Sequence, residues 1–181
     1  SSIHNCVSCC SCASICPKNA ISLIKDDYFY KVSVDKTLCV SCGLCLSVCP
    51  QNVDIKSTSP IKAIGLYNNN EKNLQKSSSG GFFIELAKYI LNKGGVVFGA
   101  SYSVGKNNVV IKKIDSINDL NSILKSKYVE SEVWLVFKDV LTELTNGKDV
   151  LFCGTPCQIA GLKCYLRKEY SNLITCDFAC G

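Results

Sequence analysis

Between residues 82 and 94 the segment FFIELAKYILNKG sets Phe82, Phe83, Leu86, Ala87, Ile90 and Leu91 along one helical face, with Gly94 as the stop. GVVFGASYS at 95–103 and VVIKKID at 109–115 are rich in apolar and β-branched residues and predict strands. Amphipathic helices are expected over 117–125 and 132–146. The second of these aligns Val133, Val136, Phe137, Val140, Leu141 and Leu144, and Gly147 ends it. DVLFCG at 149–154 predicts another strand. Thr155 as N-cap and Pro156 at the first helical position then open a helix to about Lys168. NLITCDFAC at 172–180 closes the series as a strand. Strands alternating with helices in this way predict an α/β domain with a mixed or parallel sheet.

The first third of the chain reads differently. Its apolar residues are sparse; Ile3, Ile21, Leu23, Val32, Val34 and Ile55 suffice for short covering strands but not for a large core. STSP at 57–60 and NNNEKN at 68–73 are turn and loop signals, and IKAIGLY between them predicts a short strand. The expected division is a small α+β module over 1–58 and the α/β domain over 59–181.

Cysteine explains what such a small module is built around. The 181 residues include 14 cysteines, and five of them fall within CVSCCSCASICP at 6–17. Cys6, Cys9, Cys12 and Cys16 before Pro17 repeat, 33 residues later, as Cys39, Cys42, Cys45 and Cys49 before Pro50. PKNA at 17–20 continues the match to PQNV at 50–53, so one half-module is used twice. A structural zinc wants two well-separated pairs of ligands. Three thiols at i, i+3 and i+6 instead wrap a short loop around one corner of a larger object, a cubane whose irons each take one thiolate. The fourth cysteine of such a run, before proline, serves the other cluster. The expected sets are therefore Cys6, Cys9, Cys12 and Cys49 for one [4Fe-4S] cluster, and Cys39, Cys42, Cys45 and Cys16 for the second. The pattern over 3–56 resembles bacterial-type two-cluster ferredoxins, whose fold would depend on the metal. Cys10 stands outside it and reads as a bystander thiol.

Charge and hydropathy narrow the partners. The net charge of +5 is mild and spread out, with no dense Lys/Arg run of the nucleic-acid kind. No apolar stretch approaches the roughly 18 residues of a membrane span. The start, SSIHNC, has no secretory pattern, and the cysteine usage suits a reducing, cytoplasmic setting. The sequence contains no Met, which points to a trimmed amino terminus.

Two loops in the α/β domain are chemically suggestive. SSSGG at 77–81 and CGTPCQ at 153–158 each lead into a helix N-terminus, a setting that suits anions. Together with FGA at 98–100, SKYVES at 126–131, LFCGTPCQIAGLK at 151–163 and CDFACG at 176–181, they resemble the coenzyme F420 hydrogenase/dehydrogenase beta-subunit family over roughly the whole chain. The resemblance implies an iron–sulfur flavoprotein that binds FAD and passes electrons between clusters and flavin. Its hydride partner would be coenzyme F420 or another small redox substrate. It implies flavin contacts from Ser78, Ser79, Gly80 and Gly81, from Ser126, Lys127 and Tyr128, and from Gly154, Thr155, Pro156 and Gln158. The family carries Cys-His-Gly where this chain ends in Cys180-Gly181, and its members run further. The chain is accordingly expected to be truncated, with some of the flavin site absent.

Of the remaining cysteines, Cys153, Cys157, Cys164, Cys176 and Cys180, relatives suggest a third cluster involving Cys157 and Cys180; the plainer reading is small apolar packing. His4 is expected to be a solvated neighbour of the first loop, Trp134 a core residue, and Asp177 a cofactor contact or a turn cap. No acid or base for catalysis stands out. The implied partners are a redox protein or low-potential ferredoxin and a small hydride donor or acceptor. The competing reading is a non-catalytic ferredoxin-type electron carrier whose α/β extension docks a partner protein.

Overall fold

The computed structural model describes residues 6–26, 29–55, 59–105 and 108–180. Ile3 and His4, with the expectations placed on them, lie outside these residues.

Near the amino terminus, the short helices α1 (Ser11–Ile15) and α2 (Leu44–Ser47) flank an antiparallel ribbon of β1 (Ile21–Asp26) and β2 (Phe29–Val34). The ribbon turns Ile21, Leu23 and Val32 onto a buried patch made by Cys10, Cys12 and Ala13. Val34 and Ile55, expected to cover the same site, are exposed.

The rest of the chain builds α3 (Glu71–Gln75), α4 (Phe82–Asn92), β3 (Val96–Tyr102), β4 (Val109–Ile114), a 3-10 helix (Ile117–Ile123), β5 (Ser131–Glu132), α5 (Val136–Thr145), β6 (Val150–Gly154), α6 (Pro156–Leu166) and β7 (Leu173–Asp177). The sheet order is β5-β4-β3-β6-β7. β3 pairs with β4 antiparallel and the other pairs are parallel, so the sheet is mixed. Strand alternation divides the core into two layers. Val96, Phe98, Val150 and Phe152 meet α5 and α6 on one face; Val97 and Leu151 meet α4 and the 3-10 helix on the other. Buried Glu143 on α5 takes Lys113 Nζ at 2.9 Å and Lys148 Nζ at 3.0 Å, tying that helix to β4.

Helix ends follow the expected chemistry. The N–H groups of Gly94 and Gly95 reach back to the carbonyls of Leu91 and Ile90, at 3.0 Å each, and close α4. Thr155 and Gln158 form a reciprocal capping box on α6.

Several elements differ from expectation. Residues 61–67 form no strand: Ile61, Ile64, Leu66 and Tyr67 are exposed, and among the described residues no strand lies alongside to complete a ladder. Residues 117–123 wind as a 3-10 helix, because Ser116 and Ser122 bond locally to the backbone and the Asn-Asp-Asn content disfavours the wider α turn. The helix expected from 132 starts at Val136, since Ser131 and Glu132 are drawn into pairing with Val109 and Val110 and Leu135 is left-handed. Strand β7 stops at Asp177, opposite the last residue of β6, so Cys180 lies beyond it. Trp134 is a half-buried turn residue packed on the cysteine-rich module, not a helical residue of the sheet core.

Phe152 stacks on Phe98 and meets Phe137 edge-on, with ring centroids 6.2 and 5.9 Å apart. All three are fully buried. Phe152→Ala is expected to cost about 3–5 kcal/mol, read as a lowered denaturant midpoint in anaerobic unfolding.

Candidate metal centre

The two cysteine loops, CVSCCSC at 6–12 and CVSCGLC at 39–45, share a backbone as well as a spacing. Ser8 and Cys10 have φ of 51° and 59°; their counterparts Ser41 and Gly43 have φ of 53° and 76°. Left-handed residues alternating with ordinary ones curl a chain so that successive N–H groups face inward, a shape suited to anionic cores. Glycine adopts this shape freely at 43. Cys10 adopts it at a cost of about 1–2 kcal/mol, is 1% exposed, and directs its thiol to the Ser8 carbonyl at 3.4 Å. Cys10 is thus a packed turn residue standing where the second copy has glycine.

Cys6, Cys9, Cys12 and Cys49 line one pocket, closed by Val32 and Pro50. Burial pushes the Cys9 thiol up to about 11 and the Cys12 thiol up to about 12, and the neighbouring thiols Cys6 and Cys49 add to both. Burial pushes Cys10 up as well. Cys6 is exposed and Cys49 half-buried, at the rim; Cys9 and Cys12, enclosed behind them, ionise only where a cation takes up the charge, and four soft sulfurs select a thiophilic metal. Among the described residues no three His, Cys, Asp or Glu side chains gather tightly enough for a single ion. Thiols ringing a pocket suit a polynuclear core in which each metal takes one of them.

The second set is more open. Cys39 and Cys42 are exposed on the loop before α2, whereas Cys45 and Cys16 are half-buried against the Cys12–Ala13–Ile21 patch. The Ala20 N–H donates to the Cys16 sulfur at 3.3 Å, and Ser11 Oγ donates to the Val48 carbonyl at 3.0 Å, joining the two half-modules.

The asymmetry has a visible cause: α6 covers only the first loop. A Cβ on Gly161 would sit 2.7 Å from both Cβ and Sγ of Cys9, so helix and loop meet there with no room for a methyl group. Cys157 lies near Cys9, Cys164 near Cys49, and Arg167 donates to Ser47 Oγ at 2.8 Å. These residues share one side of the helix. The Tyr30 N–H, donating to Glu130 at 2.9 Å, and the packing of Trp134 and Leu135 complete the seam. The i, i+7 spacing of Cys157 and Cys164 was a readable signal; Gly161 carried none until its neighbour was known.

The residues of the flavin expectation are partly brought together. Ser78 Oγ accepts from the Ser126 N–H at 2.7 Å. Half-buried Lys127 lies near Cys153, beside Gly154, and donates to the Leu124 and Lys125 carbonyls. Gly81 is the left-handed cap of α4, and Gly80 abuts the Leu66 carbonyl. Ser79 and Tyr128 are exposed. Thr155 and Pro156 begin α6. The Gln158 amide is committed within the protein, accepting from the Thr155 N–H at 3.0 Å and donating to Ser131 Oγ at 2.9 Å. Cys157 sits 3.0 Å from Thr155 Oγ1 and faces Cys9, while exposed Cys180 follows β7. Asp177 pairs in register with Gly154.

Residues 5–53 match the family described as 4Fe-4S dicluster domain. No curated protein matches the chain. The amino-terminal module is therefore a ferredoxin-type iron–sulfur domain, and its chemistry is electron transfer. Among the described residues no helix is long and apolar enough to cross a membrane.

Because Gly161 has no space beyond its Cα, Gly161→Ala is expected to push Cys9 from its place. Anaerobically purified variant should hold about half the iron and acid-labile sulfide of the parent and unfold about 1–3 kcal/mol sooner. Full iron with unchanged stability would show that the seam tolerates the methyl group.

Proposed function

We propose that the chain is an iron–sulfur flavoprotein oxidoreductase of the F420 hydrogenase/dehydrogenase beta-subunit kind. Residues 1–58 would hold two [4Fe-4S] clusters, one on Cys6, Cys9, Cys12 and Cys49 and the other on Cys39, Cys42, Cys45 and Cys16. Residues 59–181 would contribute the flavin site. When bound, the clusters supply one-electron exchange, and FAD supplies exchange between a hydride pair and single electrons.

The observation that carries this reading is the course of α6. The segment that opens it, Gly154–Gln158, belongs to the blocks that suggest flavin, and its body passes directly over Cys9 and Cys49. One rigid element would thus link the two chemistries. The chain's own residues would bind and orient: Ser78 and Ser126 fix two loops against each other, and the Lys127 ammonium offers positive charge to a phosphate. Burial pulls the Lys127 pKa below its ordinary value, so desolvation favours filling that position with an anion. The exposed Cys39–Cys42 loop is the natural port for a redox partner protein, because the other loop lies under α6.

The commitment of Gln158 to its own cap favours a second reading, in which the α/β domain only docks a partner and the chain is a ferredoxin-type carrier. Cofactor identification separates the two. Native polypeptide purified without oxygen is expected to hold about eight irons and to release FAD on heating. Lys127→Ala should lower the FAD content and leave iron unchanged. Zinc in place of iron would end the cluster assignment; full iron with no flavin would leave the carrier.

A further inference from the structure

Cys153 and Cys176 belong to neither cluster set and are not among the implied flavin contacts. They are register partners on the adjacent parallel strands β6 and β7, one residue before those strands end. They share the sheet face of Leu151, where Cys176 packs against the core beneath α4 and the 3-10 helix. Both are half-buried and neither is in a disulfide. Adjacent strands run about 4.7–4.9 Å apart, inside the Cα window of about 4.4–6.8 Å that a disulfide bridges. We propose that Cys153 and Cys176 form a reversible redox dithiol, which closes to a disulfide across the carboxyl ends of β6 and β7 by exchange with a small-molecule disulfide.

The two thiols hydrogen-bond to each other, so a proton held by one favours thiolate on the other. The Lys127 ammonium lies near Cys153, and the Asp177 carboxylate lies near both. Either thiol can therefore serve as the attacking thiolate and its neighbour as the resolving thiol. In the first step one thiolate attacks one sulfur of the reagent disulfide, forming a mixed disulfide and expelling one thiolate. In the second, the neighbouring thiol gives up its proton and attacks the protein sulfur of the mixed disulfide, expelling the other thiolate. Two protein thiols are oxidised, one reagent disulfide is reduced to two thiols, and the two protons leave with them. Both thiols are only half-buried, so the closed bond stays open to exchange with thiols and is reversible. It sits one residue before the Gly154–Gln158 turn and acts independently of whether a flavin binds there.

The test uses the intact, cluster-loaded chain in anaerobic glutathione buffers of varied redox ratio, with thiols trapped by alkylation in denaturant. Cleavage after Lys148, Lys163 and Lys168 puts Cys153 in the peptide starting at Asp149 and Cys176 in the one starting at Glu169. Oxidised buffer is expected to give a linked pair, localised by fragmentation to Cys153 and Cys176, which vanishes in reduced buffer with iron content constant. Cys153→Ser and Cys176→Ser should each abolish the pair, and at least one of them should leave a lasting glutathione adduct on the remaining cysteine. Linkage through Cys157 or Cys180, alkylation of both thiols at full oxidation, a pair that forms only as iron is lost, or no adduct in either single variant would each overturn the proposal.

Discussion

The contact that organises this molecule is the one between a glycine and a cysteine: Gly161 on α6 against Cys9 in the first cysteine loop. A sheet domain and a metal domain in one chain need share nothing beyond a linker. Here the helix that follows β6 lies so close to the loop that a single methyl group would separate them. Ile15 packs on the sheet core from one side, and Trp134 and Leu135 pack on the cysteine patch from the other. A change in one half is therefore felt in the other as displacement, because close-packed interiors transmit strain.

That contact also divides the labour between two nearly identical loops. Sequence and backbone angles agree between the copies, yet Ser8 to Ser14 are buried while 39–43 are exposed. Burial strengthens electrostatics within a site and screens it from water. Exposure leaves the other site open to collision. An inner and an outer metal site follow from the placement of one helix, with no change in the cysteine pattern.

The iron–sulfur module was legible because the spacing of its cysteines is set by metal chemistry, which leaves little freedom. The sheet order was partly legible: β-branched runs and the Thr155–Pro156 start announced β3, β4, β6 and α6, and the mixed character of the sheet fell within expectation. Residues 61–67 show the limit, since strand propensity without a partner strand makes no ladder. The segment at 117–123 shows another, where short polar side chains override the helical pattern of Leu120 and Ile123. Trp134 and Gly161 were illegible for a different reason. Their roles exist only between segments far apart in sequence, and periodicity reports only on neighbours. The register of Cys153 with Cys176 was hidden likewise, as it depends on how two parallel strands slide against each other.

The left-handed cysteine at position 10 has a consequence for assembly. Glycine at 43 lets the outer loop curl at little cost, so it can take its shape in an isolated half-module. The inner loop resists its own shape until packing from Ala13, Ile21 and the sheet domain offsets the strain. One side chain thus makes the inner loop lean on its surroundings for its shape, where the outer loop carries its curl in its own glycine.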